Sequence, residues 1–303
     1  MGIDKFRRKS VFKAINLNGI DLYGGLGMPA ISGTVYYVEG NAGLDSNDGL
    51  SWDKAKLTLA SAITASNANI ARADKRGYAS RNTIYIKADA LTEDIAIFPA
   101  KCDVVGCGSC DAMNKTRIIG AHSETGDGII QSTGWYNLEF RNDGTAPIFT
   151  VTTYSGLYFG DCIFTADANS THAILTSGSC DNFTIENCWF RNDEDGNDPF
   201  KTAAISLVGA VYNILIKNNF IQGAIGINID NAVAYNVWID NNTIVSTGII
   251  IDDESQLAVI TNNALISAAA NTVNNQMDYN VKLAAGNVCT GDTNTNTCPV
   301  EAT

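Results

Sequence analysis

The feature that most constrains the fold of this chain is a spaced repetition of short apolar stretches ending in asparagine. "NVWIDNNTIVSTGIII" (236–251) has a near-twin in "NILIKNNFIQGAIGINI" (213–229), and neither holds a group that looks catalytic. Aligning the central apolar residue of each unit gives Phe140, Phe159, Ile185, Ile216, Ile239 and Ile260, at steps of 19, 26, 31, 23 and 21 residues. Two residues past each anchor stands Asn142, Asp161, Asn187, Asn218, Asn241 or Asn262. A further apolar residue follows most anchors: Phe164, Phe190, Ile221, Ile244 and Leu265. A second apolar lane, Ile130, Phe149, Ile174, Ile205, Ile227 and Ile250, precedes the anchors by 10 to 12 residues. Two lanes held at a constant offset, in rungs of about 20 residues, are the mark of a solenoid.

The Ile/Val/Phe stretches alternate with period two and show no helical period, so each rung is read as strands. The expected architecture is all-β: a single-stranded right-handed parallel β-helix in which equivalent positions stack. The Asn/Asp column then has a mechanical role. Asn tolerates left-handed backbone angles at a sharp bend, and its amide can bond the equivalent Asn one rung on. Cys162 and Cys188 occupy matching positions one past the column. Upstream, 83–89, 102–108 and 116–122 read as earlier rungs. Val105 and Ile119, only 14 residues apart, are expected on different faces.

Open solenoid ends need covering. Within 51–74, Ala55, Leu59, Ala62 and Ile63 share one helical face, and Asp53 is placed to cap the start. The expected organisation is an N-terminal arm (1–33), a strand, turn and capping helix (34–82), the β-helix (83–270) and a polar capping tail (271–303).

Insertions in a solenoid mark exposed loops that touch partners. They fall at one corner, at 165–171 and 191–202, and the second carries Asp193, Glu194, Asp195 and Asp198. Three readings stay open for it: a solvated loop, a Ca²⁺ site through oxygen ligands, or paired carboxylates for glycoside cleavage. Asp252, Asp253 and Glu254 carry the same ambiguity. Asp45, Asn47 and Asp48 form a tight turn that is either a weak Ca²⁺ site or a self-bonded Asx turn. No other cofactor is expected. The histidines, His122 and His172, are read as packed or surface residues. Among the eight cysteines, "CGSC" (107–110) lacks the second pair of a zinc site, and Cys289 with Cys298 are placed to staple the tail under oxidising conditions. Exposed Trp135, Trp189 or Trp238 would suit sugar rings.

The net charge of −12 argues against nucleic acid or an anionic membrane as partner, and no apolar run reaches the length of a membrane span. The first 19 residues are basic and lack the apolar centre of an export signal, so they are not expected to serve as an export address.

The stretch "YYVEGNAGLDSNDGLSWDKAKLTLASAI" (36–63) resembles the opening of pectate-lyase-like right-handed β-helix proteins, and the rungs from about 83 to 266 are similar to the same superfamily. The superfamily includes pectin-acting lyases and hydrolases, and bacteriophage tailspikes and virion decorations that are often homotrimers. The lyase pattern of Ca²⁺-binding aspartates beside a catalytic Arg or Lys is not matched, because Arg141, Arg191 and Lys217 do not align with Asp pairs. Lys5, Arg7, Arg8, Lys9 and Lys13, followed by an apolar, Gly-rich run, suit an anchoring arm. The resemblance implies a phage virion protein (head decoration, fibre or tailspike), assembled in the host cytoplasm and placed on the virion surface, that docks on other virion proteins through 1–33 and projects its coil toward host glycan. The alternative is a polysaccharide depolymerase, virion-borne or extracellular.

Overall fold

The structure is a computed structural model and describes residues 33–71, 80–87, 90–108, 115–124, 132–166, 170–192, 199–230, 234–246, 251–253, 258–267, 273–275, 283–285 and 288–290. The chain visits three sheets in rotation. One rung runs Leu157–Gly160 in the first sheet, Ile163–Ala166 in the second and His172–Thr176 in the third, then returns to the first at Cys180–Glu186. Each strand pairs in parallel with its counterparts in the rungs before and after, for example Phe159 with Ile185, Ile185 with Ile216, and Ile216 with Ile239. The result is an all-β, solenoid-like coil.

The alternation read from the sequence is the alternation of burial. Within the first sheet, Trp135, Phe159, Ile185, Ile216 and Ile239 point inward and are fully buried. Phe140, Phe164, Phe190, Ile221, Ile244 and Leu265 form the equivalent file of the second sheet. In-register stacking is plain in its aromatic part: the rings of Phe164 and Phe190 lie 4.5 Å apart and 6° from parallel. In the third sheet Phe149, Ile174, Ile205 and Ile227 stack. The next partner there is Ile251 rather than Ile250, and Ile130 lies outside the described residues. His122 occupies the position before Phe149, buried among aromatic rings.

Val105 and Ile119 fall on the first and second sheets, which accounts for their short separation. Phe140 also belongs to the second sheet, so Asn142, two residues on, stands outside the corner column. In its rung the first-sheet residue is Trp135, and the column position is Asn137. The segment "GWYNLEF" holds two apolar centres five residues apart, and the alignment took the later one.

The N-terminal end is closed by an α-helix, α1 (Leu59–Ile70), with Leu59, Ala62, Ile63 and Ile70 buried. It is shorter than the expected 51–74, and Asp53 does not cap it. Trp52–Lys54 form a separate 3-10 turn, and Thr58 is the cap, its Oγ1 accepting from the Ser61 N–H at 3.2 Å. The Glu93 carboxylate accepts from the Leu59 and Ala60 N–H groups at 2.8 and 3.0 Å, placing negative charge at the positive end of the helix.

The turn before it is self-bonded. The Asp45 carboxylate accepts from the N–H of Leu57 and Thr58, Asn47 Nδ2 donates to the Ala55 carbonyl, and Asp48 Oδ1 accepts from the Leu50 N–H. Lys56 Nζ donates to the main-chain oxygens of Asp45 and Asn47, so an ammonium already sits against the carbonyls that a cation would use.

Candidate functional site

The corner between the first and second sheets is built by asparagine. Asn137, Asp161, Asn187, Asn218, Asn241 and Asn262 all have φ between 53° and 58°, the left-handed bend that Asn and Asp accept more readily than other side-chain-bearing residues. Their side chains face outward, and Asn241 Nδ2 donates to Asn218 Oδ1 at 2.8 Å. Asn262 Nδ2 turns instead to Asp240 Oδ1, at 2.9 Å.

One residue further on, the chain turns inward and a second ladder runs behind the first. Asn242 Oδ1 accepts from the Asn219 N–H at 2.9 Å and from Asn219 Nδ2 at 3.0 Å, and Asn263 Oδ1 serves Asn242 in the same way. Their amide nitrogens also donate to the carbonyls of Ile185, Ile216 and Ile239. Cys188 and Cys162 continue this file, their thiols donating to the carbonyls of Phe159 and Trp135 at 3.5 and 3.3 Å. Burial holds the Cys188 thiol well above its ordinary pKa, so it stays protonated and serves as a donor.

A third asparagine column stands where the chain enters the first sheet. Asn182, Asn213 and Asn236 have φ of 55° to 58°, and Asn213 Nδ2 and Asn236 Nδ2 each donate to the preceding Asn, at 3.2 and 3.0 Å. Both flanking columns were available in the sequence as Asn-x₄-Asn-Asn in "NILIKNN" and "NVWIDNN". The column read from the sequence takes only the first Asn of the trailing pair and so misses the leading Asn and the inward-turned partner.

The corner opens into a groove of about 390 Å³ lined by Lys115, Asp161, Cys162, Ile163, Asn187, Trp189 and Asn218. Trp189, the first outward residue of the second sheet, is 47% exposed. Its register partner in the next rung is Phe220, with ring centroids 5.7 Å apart and tilted by 43°. The groove thus has an aromatic side, Trp189 continued by Phe220, and a polar side on which Asp161, Asn187 and Asn218 recur once per rung. Lys115 Nζ donates to Asn137 Oδ1, and Asn137 Nδ2 is held by the carbonyls of Gly106 and Gly108.

The outward face of the first sheet holds a second polar group. Glu186, Lys217 and Asp240 are register partners in three successive rungs, and Lys217 Nζ lies 2.9 Å from Glu186 Oε1. Lys217 thus stands between a glutamate and an aspartate rather than beside an Asp pair, and the stacking brings the three together across gaps of 31 and 23 residues. Tyr158 Oη donates to Glu186 Oε2 at 3.3 Å, and burial raises the phenol's pKa well above its ordinary value, so it keeps its proton. Asp240 Oδ1 accepts from Thr261 Oγ1 and Asn262 Nδ2. Trp238, 53% exposed, stands one residue along from Ile239 on this face.

Of the tryptophans considered as sugar platforms, Trp189 and Trp238 are exposed. Trp135 is fully buried against Phe98 and Phe140. His172 is half-buried, its pKa lowered by burial, and stands apart from the groove lining. Asp193, Glu194, Asp195, Asp198 and Glu254 lie outside the described residues, as do Lys5, Arg7, Arg8, Lys9 and Lys13 and the side chains of Asp252, Asp253 and Cys289. Among the described residues, no cluster of three or more His, Cys, Asp or Glu side chains could hold a metal ion, and no helix is long and apolar enough to cross a membrane.

No family model matches this sequence, and no curated protein matches it. Among solved structures the chain is similar to a rhamnogalacturonan lyase, at 12% identity and a TM-score of 0.33 over 85% of this chain and 62% of the lyase. The chain thus spans less than two thirds of that protein's length. It is also similar to the Azotobacter vinelandii mannuronan C-5 epimerase AlgE6 A-module, at 13% identity and a TM-score of 0.23 over 76% of this chain and 90% of the module. At these scores neither likeness carries anything about the chemistry of this chain, which rests on its own residues.

Proposed function

We propose that this protein is a stiff surface appendage whose coil binds glycan in the corner groove. In this reading it is a bacteriophage virion structural protein, a right-handed β-helix homotrimer held to other virion proteins by residues 1–33. The right hand is the one that parallel strand crossovers adopt. The observation that carries the glycan reading is Trp189. A half-exposed indole on a rigid sheet, beside a file of exposed amides, offers the flat apolar surface and hydrogen-bonding edge that a sugar ring needs. The arm's basic and then apolar composition supports the anchoring role.

Calorimetric titration with glycans from bacterial surfaces tests this. Binding that falls at least about tenfold in Trp189→Ala, with the fold retained by circular dichroism, supports the reading. No binding at millimolar sugar, or equal binding by the variant, refutes it. Removal of residues 1–33 is expected to abolish incorporation into particles while leaving sugar binding intact.

A second reading, polysaccharide cleavage, is favoured by the Glu186–Lys217–Asp240 file, whose Asp240 shares a strand with the exposed Trp238. The two carboxylates stand two rung steps apart, a main-chain spacing of about 9.5 Å, with Lys217 in the rung between them. Release of new reducing ends that stops in Glu186→Gln and Asp240→Asn would establish it. Unchanged polymer length would dismiss it.

A further inference from the structure

The groove's periodicity and charge say what sort of glycan it takes. We infer that its ligand is an uncharged, linear polysaccharide lying parallel to the coil axis, so that successive sugar residues meet successive rungs. This inference rests on the glycan reading above and deepens it.

Direction follows from register. The apolar side of the groove is Ile163 and Trp189, and their register file continues through Phe220 to Thr243, one residue per rung. The polar side is the file Asp161–Asn187–Asn218–Asn241, also one residue per rung, with every backbone locked at the same left-handed angle. Both run along the axis with the strand-to-strand spacing of about 4.8 Å. A ligand crossing the corner would meet one aromatic and one amide only. A ligand along the axis meets an aromatic and an amide in two successive rungs, Trp189 with Asn187 and Phe220 with Asn218, at a step comparable to the advance per residue of an extended hexopyranose chain. Trp189 and Phe220 then stack two neighbouring sugars, and Asn187 and Asn218 bond their hydroxyls.

Charge excludes the acidic alternative. An anionic polymer needs an excess of cations to meet its carboxylates, and the lining offers one, Lys115. Lys115 is held by Asn137, Arg117 by Glu139 at 3.0 Å, and Lys217 by Glu186 at 2.9 Å. The lining itself adds the Asp161 carboxylate, and the whole chain carries −12. A polyanion would find one lining ammonium, Lys115, set against one lining carboxylate, Asp161, with no excess positive charge to hold it. A neutral chain needs only the hydroxyl-bonding amides and the aromatic faces.

The test is calorimetric titration of the full chain with neutral malto-, xylo- and manno-oligosaccharides of one to six residues, and with oligogalacturonates of the same lengths, at low and high salt. Neutral oligomers should gain about three- to tenfold in affinity per added sugar, as expected for one more ring on an aromatic face. The gain should stop near three residues, and affinity should change less than about twofold between 50 and 500 mM salt, where charge attraction would be screened. Thr243→Trp extends the aromatic file by one rung and should move the plateau out by one sugar. Equal affinity for mono- and hexasaccharides, or an unmoved plateau in that variant, overturns the axial placement. Tighter binding of oligogalacturonates that weakens with salt overturns the neutral assignment and leaves the glycan reading standing. No binding in either series overturns both.

Discussion

Replacing Asn242 by alanine isolates what the inward ladder contributes. The side chain is 2% exposed and makes four hydrogen bonds. Its oxygen is the acceptor for the Asn219 N–H, and its nitrogen supplies the Ile216 carbonyl. Alanine leaves that N–H facing apolar surroundings and takes a donor from the carbonyl. Asn219 Nδ2 keeps the Ile185 carbonyl, and Asn263 Oδ1 keeps the Asn242 N–H, so the damage centres on the two main-chain groups. A buried polar group left without its partner costs about 1–3 kcal/mol, and the small void adds to it, giving about 3–5 kcal/mol in all. The control is the adjacent Asn241→Gly, which removes an exposed amide bond and retains the left-handed bend, so it should cost less than about 1 kcal/mol. Urea unfolding followed by fluorescence and circular dichroism compares the two. Because stacked rungs can open in pieces, hydrogen exchange at the Asn219 amide is followed as well, and it should speed up in Asn242→Ala and stay slow in Asn241→Gly. Equal stability of the two variants would refute the assignment of the ladder as a structural spine.

Two further perturbations probe the core and the first-sheet face. Burial lowers the pKa of His122 to about 4, outweighing the opposing pull of Asp94. The neutral ring is therefore favoured in the folded state: its contribution is fully present above about pH 6.5 and is lost as pH falls toward 4. The loss is on the order of 3 kcal/mol, and His122→Phe should remove that part of the acid sensitivity; an unchanged slope in pH-dependent melts would count against it. A methyl group at Gly160 would lie 2.5 Å from Tyr158 Cε1, so Gly160→Ala should cost about 1–3 kcal/mol. Adding Tyr158→Thr should recover most of this, a non-additivity read from the double-mutant cycle.

Much of the fold was legible because apolar period and asparagine period report the same rung. Phe159, Ile185, Ile216 and Ile239 could be aligned by eye, since each is followed at the same distance by a residue suited to the left-handed bend. The alignment slipped where that coupling fails. In the rung containing Trp135 and Phe140, two aromatic centres lie close together and either will pair with an asparagine two residues on. The helix start slipped because Asp53 looks like a cap from local sequence, whereas the capping carboxylate comes from Glu93, 34 residues from Leu59. The groove was the least legible part. Lys115, Asp161, Trp189 and Asn218 meet only because rungs of unequal length stack, and Trp135 and Trp189 differ in exposure through the parity of their positions on two different sheets. The alignment of Lys217 with Glu186 and Asp240 was hidden for the same reason.

The most direct measurement is a crystal structure grown with a neutral hexasaccharide. The account predicts Phe159, Ile185, Ile216 and Ile239 in one inward file, with sugar rings over Trp189 and Phe220 running along the coil. Sugar bound elsewhere, or Trp189 packed into the interior with its corner asparagines out of register, would contradict it.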